Sequence, residues 1–394
     1  MNPIRNCPVC ASTRSRPLLR LDAAPIYLHP VAADAEVPPP HSVDLDYRQC
    51  LDCGHGYQTR FDLDTLARIY RSHYYTPAAE GVGVGARNDF MAFLGANSAR
   101  SAFTPGRALE VGCSSGEVLN EIRSLFGLEL QHLVGVEPNH DTASAAKKLG
   151  LDIRETFLDA ALAASLGRFD LVVSRHVIEH VEDPRAFFQS LSQVVDDEGA
   201  IVLETPSLDA CLQRRVDSGF YVEHLHLFSM RSLAATAQGA GFAMVEGFET
   251  PLGHMIGVFR RQGIPLALAP TDTHTDLQSS HDQRCRWWKA RFEKRPVILW
   301  GAGSASRILI AETSCRPLAI CDGNPGKAGK KFVGLPHTIR YAPEYIAELI
   351  ERGLDKTHLL VAASMFFTEI EREAERLGWR GDFLSLYAYA EGGS

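Results

Sequence analysis

The chain has 394 residues, of which 45% are hydrophobic and 22% charged, and its formal net charge is −8. At roughly 100–200 residues per domain it holds two or three domains, each able to bury a core. The acidic balance argues against a dedicated nucleic-acid or anionic-membrane binder. No run approaches the roughly 20 apolar residues that cross a bilayer, and the first residues lack the apolar stretch of a secretory leader. A cytoplasmic protein with no nucleic-acid and no membrane partner is expected, its oligomeric state left open.

Residues 1–72 read as a short, irregular unit with Pro38-Pro39-Pro40 in its middle. Four of the nine cysteines fall here, as Cys7-x-x-Cys10 and Cys50-x-x-Cys53. A unit this small has trouble sustaining its own core, so something else should staple it. Two thiolate pairs on tight turns suit tetrahedral zinc, with 39 intervening residues looping out. With four protein ligands and no position for water, the metal is expected to be structural.

Residues 73–262 alternate apolar runs with amphipathic stretches. Ala108–Val111, His132–Val136, Phe169–Ser174 and Ala200–Glu204 predict strands, and Ala143–Leu149 and Pro184–Val195 predict helices. Such alternation predicts a doubly wound α/β domain with a parallel sheet covered on both faces. Residues 263–295 break into a Pro/Thr/Ser/His linker and a charged helix carrying Trp287 and Trp288, read as an amphipathic cover for a cleft. From 296 to 394 the alternation resumes at Val297-Ile298-Leu299-Trp300 and Gly301-x-Gly303, a second, smaller Rossmann-like unit. The third glycine of a dinucleotide fingerprint is missing there, so bound NAD is not expected.

The run Leu109-Glu110-Val111-Gly112-Cys113-Ser114-Ser115-Gly116 is a strand opening through a glycine turn into a helix. Glycines let a ligand approach the backbone, and the helix offers free N–H groups. Alone, such a turn also suits a nicotinamide-type site or plain tight packing. Glu137, followed by Pro138, ends the next strand, where a carboxylate takes both hydroxyls of a ribose.

Together with Phe169–Val181, these segments resemble the successive motifs of class I S-adenosylmethionine-dependent methyltransferases. The resemblance implies that Glu110, Gly112, Ser114 and Gly116 surround the methionine part and that Glu137 and Pro138 meet the ribose. It also implies that Asp159 lies by the adenine, and Arg175 and His176 beside the sulfonium. Over nearly the full length, a four-cysteine unit, a methyltransferase core and a C-terminal α/β domain resemble the zinc-containing sugar C-methyltransferases. That family acts on nucleotide-linked 4-keto-6-deoxysugars.

By this resemblance Tyr221-Val222-Glu223-His224 carries the base, His224, with Tyr221 beside it, and Tyr74 and Tyr75 lie in a substrate loop. The chemistry is coherent: a carbon next to a ketone loses a proton to a neutral imidazole, and hydrogen-bond donors, His176 among them, hold the enolate oxygen. The alternative acceptor is oxygen or nitrogen of another small metabolite of natural-product type. A non-catalytic protein retaining the fold is the remaining alternative. His176 and His180 stand four apart like a metal pair on a helix, but the sequence shows no third ligand at a telling distance.

Overall fold

The computed structural model describes residues 5–72, 82–363, 367–386 and 388–389. In place of an irregular unit, the N-terminal segment folds as a sheet. β1 (Ser15–Pro25) pairs antiparallel with β2 (Ser42–Cys50), and β2 with β3 (Gly56–Gln58), before α1 (Leu63–Ser72). Two register shifts in the β1–β2 ladder, at Pro17/Leu19 and Leu21/Ala24, break the alternation that marks a strand in sequence. Leu19, Leu21, Leu45 and Tyr47 bury into a core shared with Leu208, Leu212, Phe220 and Leu225 of the next domain. The unit is thus held from outside, by the core it shares with the next domain.

The second unit runs α2 (Val82–Ser101), β4 (Ala108–Val111), α3 (Glu117–Phe126), β5 (Leu133–Val136), α4 (His140–Lys148) and β6 (Asp152–Arg154). It continues through α5 (Ala160–Leu166), β7 (Phe169–Arg175), α6 (Pro184–Val194), β8 (Val195–Pro206) and α7 (Leu208–Arg214). β9 (His226–Leu227), α8 (Met230–Gln238), β10 (Ala243–Glu249) and β11 (His254–Arg260) complete it. β9 leaves the domain's own sheet and pairs with β3, giving the first sheet the order β1-β2-β3-β9.

The large sheet has seven strands in the order β10-β11-β8-β7-β4-β5-β6. β6, β5, β4, β7 and β8 are parallel, and β4 and β5 are buried at every position. The sheet is mixed, not wholly parallel as the alternation predicts, because β11 runs antiparallel to β8 and to β10. Only Thr250–Gly253 separates β10 from β11. A parallel crossover needs a dozen residues or more, so this connection closes a hairpin.

α9 (Leu277–Lys294) leads into β12 (Val297–Trp300), α10 (Ser304–Thr313), β13 (Ala319–Asp322), β14 (Arg340–Tyr341) and α11 (Ala342–Glu351). β15 (Leu359–Ala362), α12 (Phe367–Leu377) and β16 (Phe383–Ser385) finish the chain. This third sheet is parallel, in the order β14-β13-β12-β15-β16. On α9, Trp288 is fully buried against the third unit's core, and Arg284 bonds Asp217 of the second unit and Glu312 of α10. The linker helix therefore ties the two α/β units together.

Candidate active site

Parallel α/β sheets bind ligands beyond the carboxyl ends of their strands, and there the β4–α3 turn takes an unusual backbone. Gly112, Ser114 and Gly116 have φ of 80°, 48° and 85°. A Cβ on Gly112 would lie 2.4 Å from Val177 Cγ2, and one on Gly116 2.6 Å from Leu151 Cδ1. Both glycines are thus required by left-handed backbone and by close neighbours. The turn's shape is fixed by Glu137, which accepts the N–H of Ser114 at 2.9 Å and of Asn139 at 2.8 Å. Burial raises the Glu137 carboxyl above the usual range.

Glu110, beneath the turn, is buried, and that burial pushes its carboxyl up to about 8. Its Oε2 has no hydrogen-bond partner. Beside it, the N-terminus of α3 at Gly116 has no side-chain cap. Glu110 also accepts the Leu119 N–H of α3, and its orphaned oxygen beside that helix N-terminus fits a ligand that carries both an ammonium and a carboxylate. Pro138 is half-buried and follows Glu137, and Asp159 is exposed, capping α5 through the Leu162 N–H at 2.7 Å. Sequence reasoning passed over Phe157, 64% exposed in the same loop.

At the end of β7 the chain turns through His176, whose φ is 52°. Arg175 is engaged within the protein. Its Nε donates to Glu204 Oε2 at 2.5 Å, and its guanidinium lies over Phe90. Glu204, fully buried at the end of β8, turns its other oxygen to His254 Nδ1 at 3.1 Å and His176 Nε2 at 3.7 Å. His176 Nδ1 meets Glu179 Oε1 at 3.3 Å, and Glu179 Oε2 accepts the Thr205 hydroxyl at 2.9 Å. Burial would lower the His176 imidazole, but the two carboxylates outweigh it and hold it at about 9. Glu204 and His254 belong to strands far from His176 in sequence, so spacing gave no sign of them. A glutamate ending the apolar run of β8 was the available signal.

His224 lies across this edge. Its Nδ1–H donates to the Gly219 carbonyl at 2.7 Å, which leaves the lone pair on Nε2. Burial lowers its basicity to about 3, so the imidazole is neutral at physiological pH. Tyr221 packs edge-on to His224 with ring centroids 4.9 Å apart, and His180 does so at 4.8 Å. His180 Nδ1–H donates to the Glu223 carbonyl. His226 is held between Val181 and His55, so it is no rival base. Tyr221 also lines a cavity of about 170 Å³ among β1, α9 and α10, with Arg20, Asp22, His281 and Glu312. Tyr74 and Tyr75 lie outside the described residues.

The loop bearing His224 is gripped from below by the first sheet. The hydroxyl of Tyr47 on β2 lies 2.7 Å from the Tyr221 carbonyl and 2.8 Å from that of His224. Gln58 Nε2 on β3 reaches the carbonyls of Tyr221, Val222 and His224 at 2.9–3.1 Å. At the far end of these strands the four cysteines converge, with Cys7 Sγ 3.6 Å from Cys53 Sγ and Cys10 Sγ 3.5 Å from Cys50 Sγ. Thiolates around one tetrahedral zinc stand about 3.8 Å apart, so the donor set fits that ion.

The family described as "Methyltransferase domain" matches residues 86–247. Two similar curated proteins are named ubiquinone biosynthesis O-methyltransferase. The one from Caulobacter vibrioides is 32% identical over 111 residues, which is 27% of this chain and 44% of that protein. The one from Parvibaculum lavamentivorans is 35% identical over 102 residues, which is 25% of this chain and 40% of that protein. The chain thus spans less than half the length of these relatives. A solved S-adenosylmethionine-dependent methyltransferase from Clostridium acetobutylicum is 10% identical, covering 51% of this chain and 99% of that one with a TM-score of 0.37. Residues 86–247 of this chain are thus similar to a methyltransferase domain. Among the described residues no helix is long and apolar enough to cross a membrane.

Proposed function

We propose that this chain transfers the methyl group of S-adenosylmethionine to a carbon of a small acceptor, a nucleotide-linked 4-keto sugar being the class that best suits the site. The observation that carries this reading is the tautomer of His224: Nδ1–H is tied to Gly219, so Nε2 is a neutral acceptor of a proton. The sulfonium supplies an electrophilic methyl when bound. The chain's own work is to orient the acceptor, take its proton and steady the oxyanion.

On the donor side, Glu137 would take the ribose hydroxyls on the lone pairs that its two backbone N–H bonds leave free. Glu110 Oε2 would take the ammonium, and Phe157 would lie against the adenine. On the acceptor side, His224 Nε2 removes the proton next to the ketone, and Tyr221 with the His176 cluster holds the enolate oxygen. The carbon then forms its bond to the methyl as the methyl–sulfur bond breaks, and His224 returns its proton to water. Holding both reactants at one strand edge supplies much of the rate.

A nucleotide-linked acceptor is supported by a repeat of the Glu137 arrangement in the third unit. Asp322 ends β13 and accepts the N–H of Ala302 at 2.7 Å and of Asn324 at 2.8 Å, with Lys327 Nζ at 3.0 Å. Arg307, 8% exposed on the first turns of α10, has an unpartnered Nε. A buried guanidinium beside an uncapped helix N-terminus suits a phosphate. In the same reading the four cysteines hold a structural zinc that keeps the first sheet under the His224 loop.

The test is mass spectrometry of small molecules after incubation with methyl-labelled S-adenosylmethionine and a panel of nucleotide-linked 4-keto-6-deoxysugars. A sugar carrying label in a carbon–carbon bond supports the proposal. The relatives' names favour a second reading, transfer to a hydroxyl deprotonated by His224. Label in an ether linkage, or none on any keto sugar from a protein that binds the donor, would replace the first reading with this one.

A further inference from the structure

We propose that His176, Glu204 and His254 form an open site for a divalent transition-metal ion at the acceptor edge. His176 Nε2 and His254 Nδ1 lie 3.7 and 3.1 Å from Glu204 Oε1, and the three residues each bring a donor atom within 4.8 Å of the other two. Nitrogen and oxygen ligands around one tetrahedral zinc-sized ion stand about 3.4 Å apart. The observed spacing needs only a small rotation of His176 to meet that value.

The surroundings are those of a ligand set held in place. A metal-bound imidazole ordinarily gives its second ring N–H to a carboxylate or carbonyl. His176 Nδ1 faces Glu179 Oε1 at 3.3 Å, and Glu179 is itself fixed by the Thr205 hydroxyl. Arg175 occupies Glu204 Oε2 and leaves Oε1 to the two histidines. By contrast, Asp217 and Glu312 around His281 and Cys285 are already engaged by Arg284. The His176 and His254 side chains keep 32% and 21% of their surface, while Glu204 keeps none. Two histidines and one carboxylate leave coordination positions open, and the set suits zinc, iron(II), cobalt or manganese. An ion there would polarise the acceptor oxygen. That use rests on the methyl-transfer reading above, whereas the binding claim stands on the donor geometry.

Full-length protein carrying zinc on its thiolates, freed of loosely held metal on a chelating resin, is titrated with Co²⁺ and followed by visible absorption. One equivalent with weak d–d bands and no thiolate charge-transfer band is expected. His254→Gln should lose it, and Glu179→Gln, which leaves all three ligands in place, should bind Co²⁺ about 10–100-fold more weakly. No such equivalent in the wild type, or an undiminished one in folded His254→Gln, overturns the proposal. If His254→Gln does not fold, unchanged affinity in Glu179→Gln overturns it. The readout needs no acceptor. A protein that methylates keto sugars yet takes up no Co²⁺ refutes the metal alone, and the reverse result refutes only the acceptor.

Discussion

Replacing Tyr47 by phenylalanine should slow turnover without touching donor binding. Tyr47 is fully buried, and its ring packs edge-on against Phe220 with centroids 4.8 Å apart, a contact that phenylalanine keeps. What goes is one hydroxyl, which accepts from Gln58 Nε2 and donates to the carbonyl of Tyr221 or of His224. A net hydrogen bond is worth about 0.5–1.5 kcal/mol, and a group left unpaired costs about 1–3. Gln58 still reaches the same carbonyls, so the loss of stability should be only about 1–2 kcal/mol. Catalysis is more sensitive, since a displacement of about 1 Å costs about 100-fold in rate. The expected kcat is lower by about 10- to 100-fold. Calorimetric titration should give an unchanged Kd for S-adenosylmethionine, because Glu110 and Glu137 stand on strands the substitution does not reach. A kcat within twofold of wild type in a measurably destabilised variant would refute the idea that the first sheet positions His224. So would a donor affinity falling in step with kcat.

His224→Ala should lose about 10²–10⁴-fold in kcat while donor affinity, read by the same titration, stays put; parallel loss of both would remove His224 as base. Cys50→Ser should release one equivalent of zinc, measured by mass spectrometry of the metal, and lower the thermal midpoint together with turnover; a variant with wild-type melting and activity would show that the metal holds nothing. Free protein keeps Glu110 protonated up to about pH 8, whereas the carboxyl's ordinary value is 4.5. This contribution therefore favours folding at low pH and fades as pH rises through that interval. Pairing with the ammonium of the donor requires the carboxylate, so affinity should rise about tenfold between pH 6 and 7, with proton release. A flat profile, or the same slope in Glu110→Gln, would sever Glu110 from the donor.

The sequence carried some parts of this site and hid others for identifiable reasons. The β4–α3 turn was legible because glycine spacing and a following helix are local, and Gly112, Ser114 and Gly116 do take the left-handed backbone. Glu137 was legible because it ends an apolar strand. The N-terminal sheet was hidden by two register shifts in β1, and the antiparallel edge by a periodicity that does not encode strand direction. Glu204 and His254 were invisible as partners of His176, because β8 and β11 bring them together only after the sheet has formed. Tyr47 and Gln58 act through backbone carbonyls, which leave no signature in the residues they hold.

β9 gives the chain a particular order of assembly. Gly56 of β3 pairs with Leu227, 171 positions later. At about 5–20 residues per second, synthesis leaves that strand edge open for roughly 10–30 s. In the proposed zinc reading, capture of the ion by Cys7, Cys10, Cys50 and Cys53 would need none of the later chain, so the metal would lock the early hairpin while its edge waits for a partner. The first sixty residues are accordingly not a removable appendage. Expressed alone they would present a bare strand edge of the kind that drives aggregation, and deleted they would leave β9 and the loop before it with nothing to rest on.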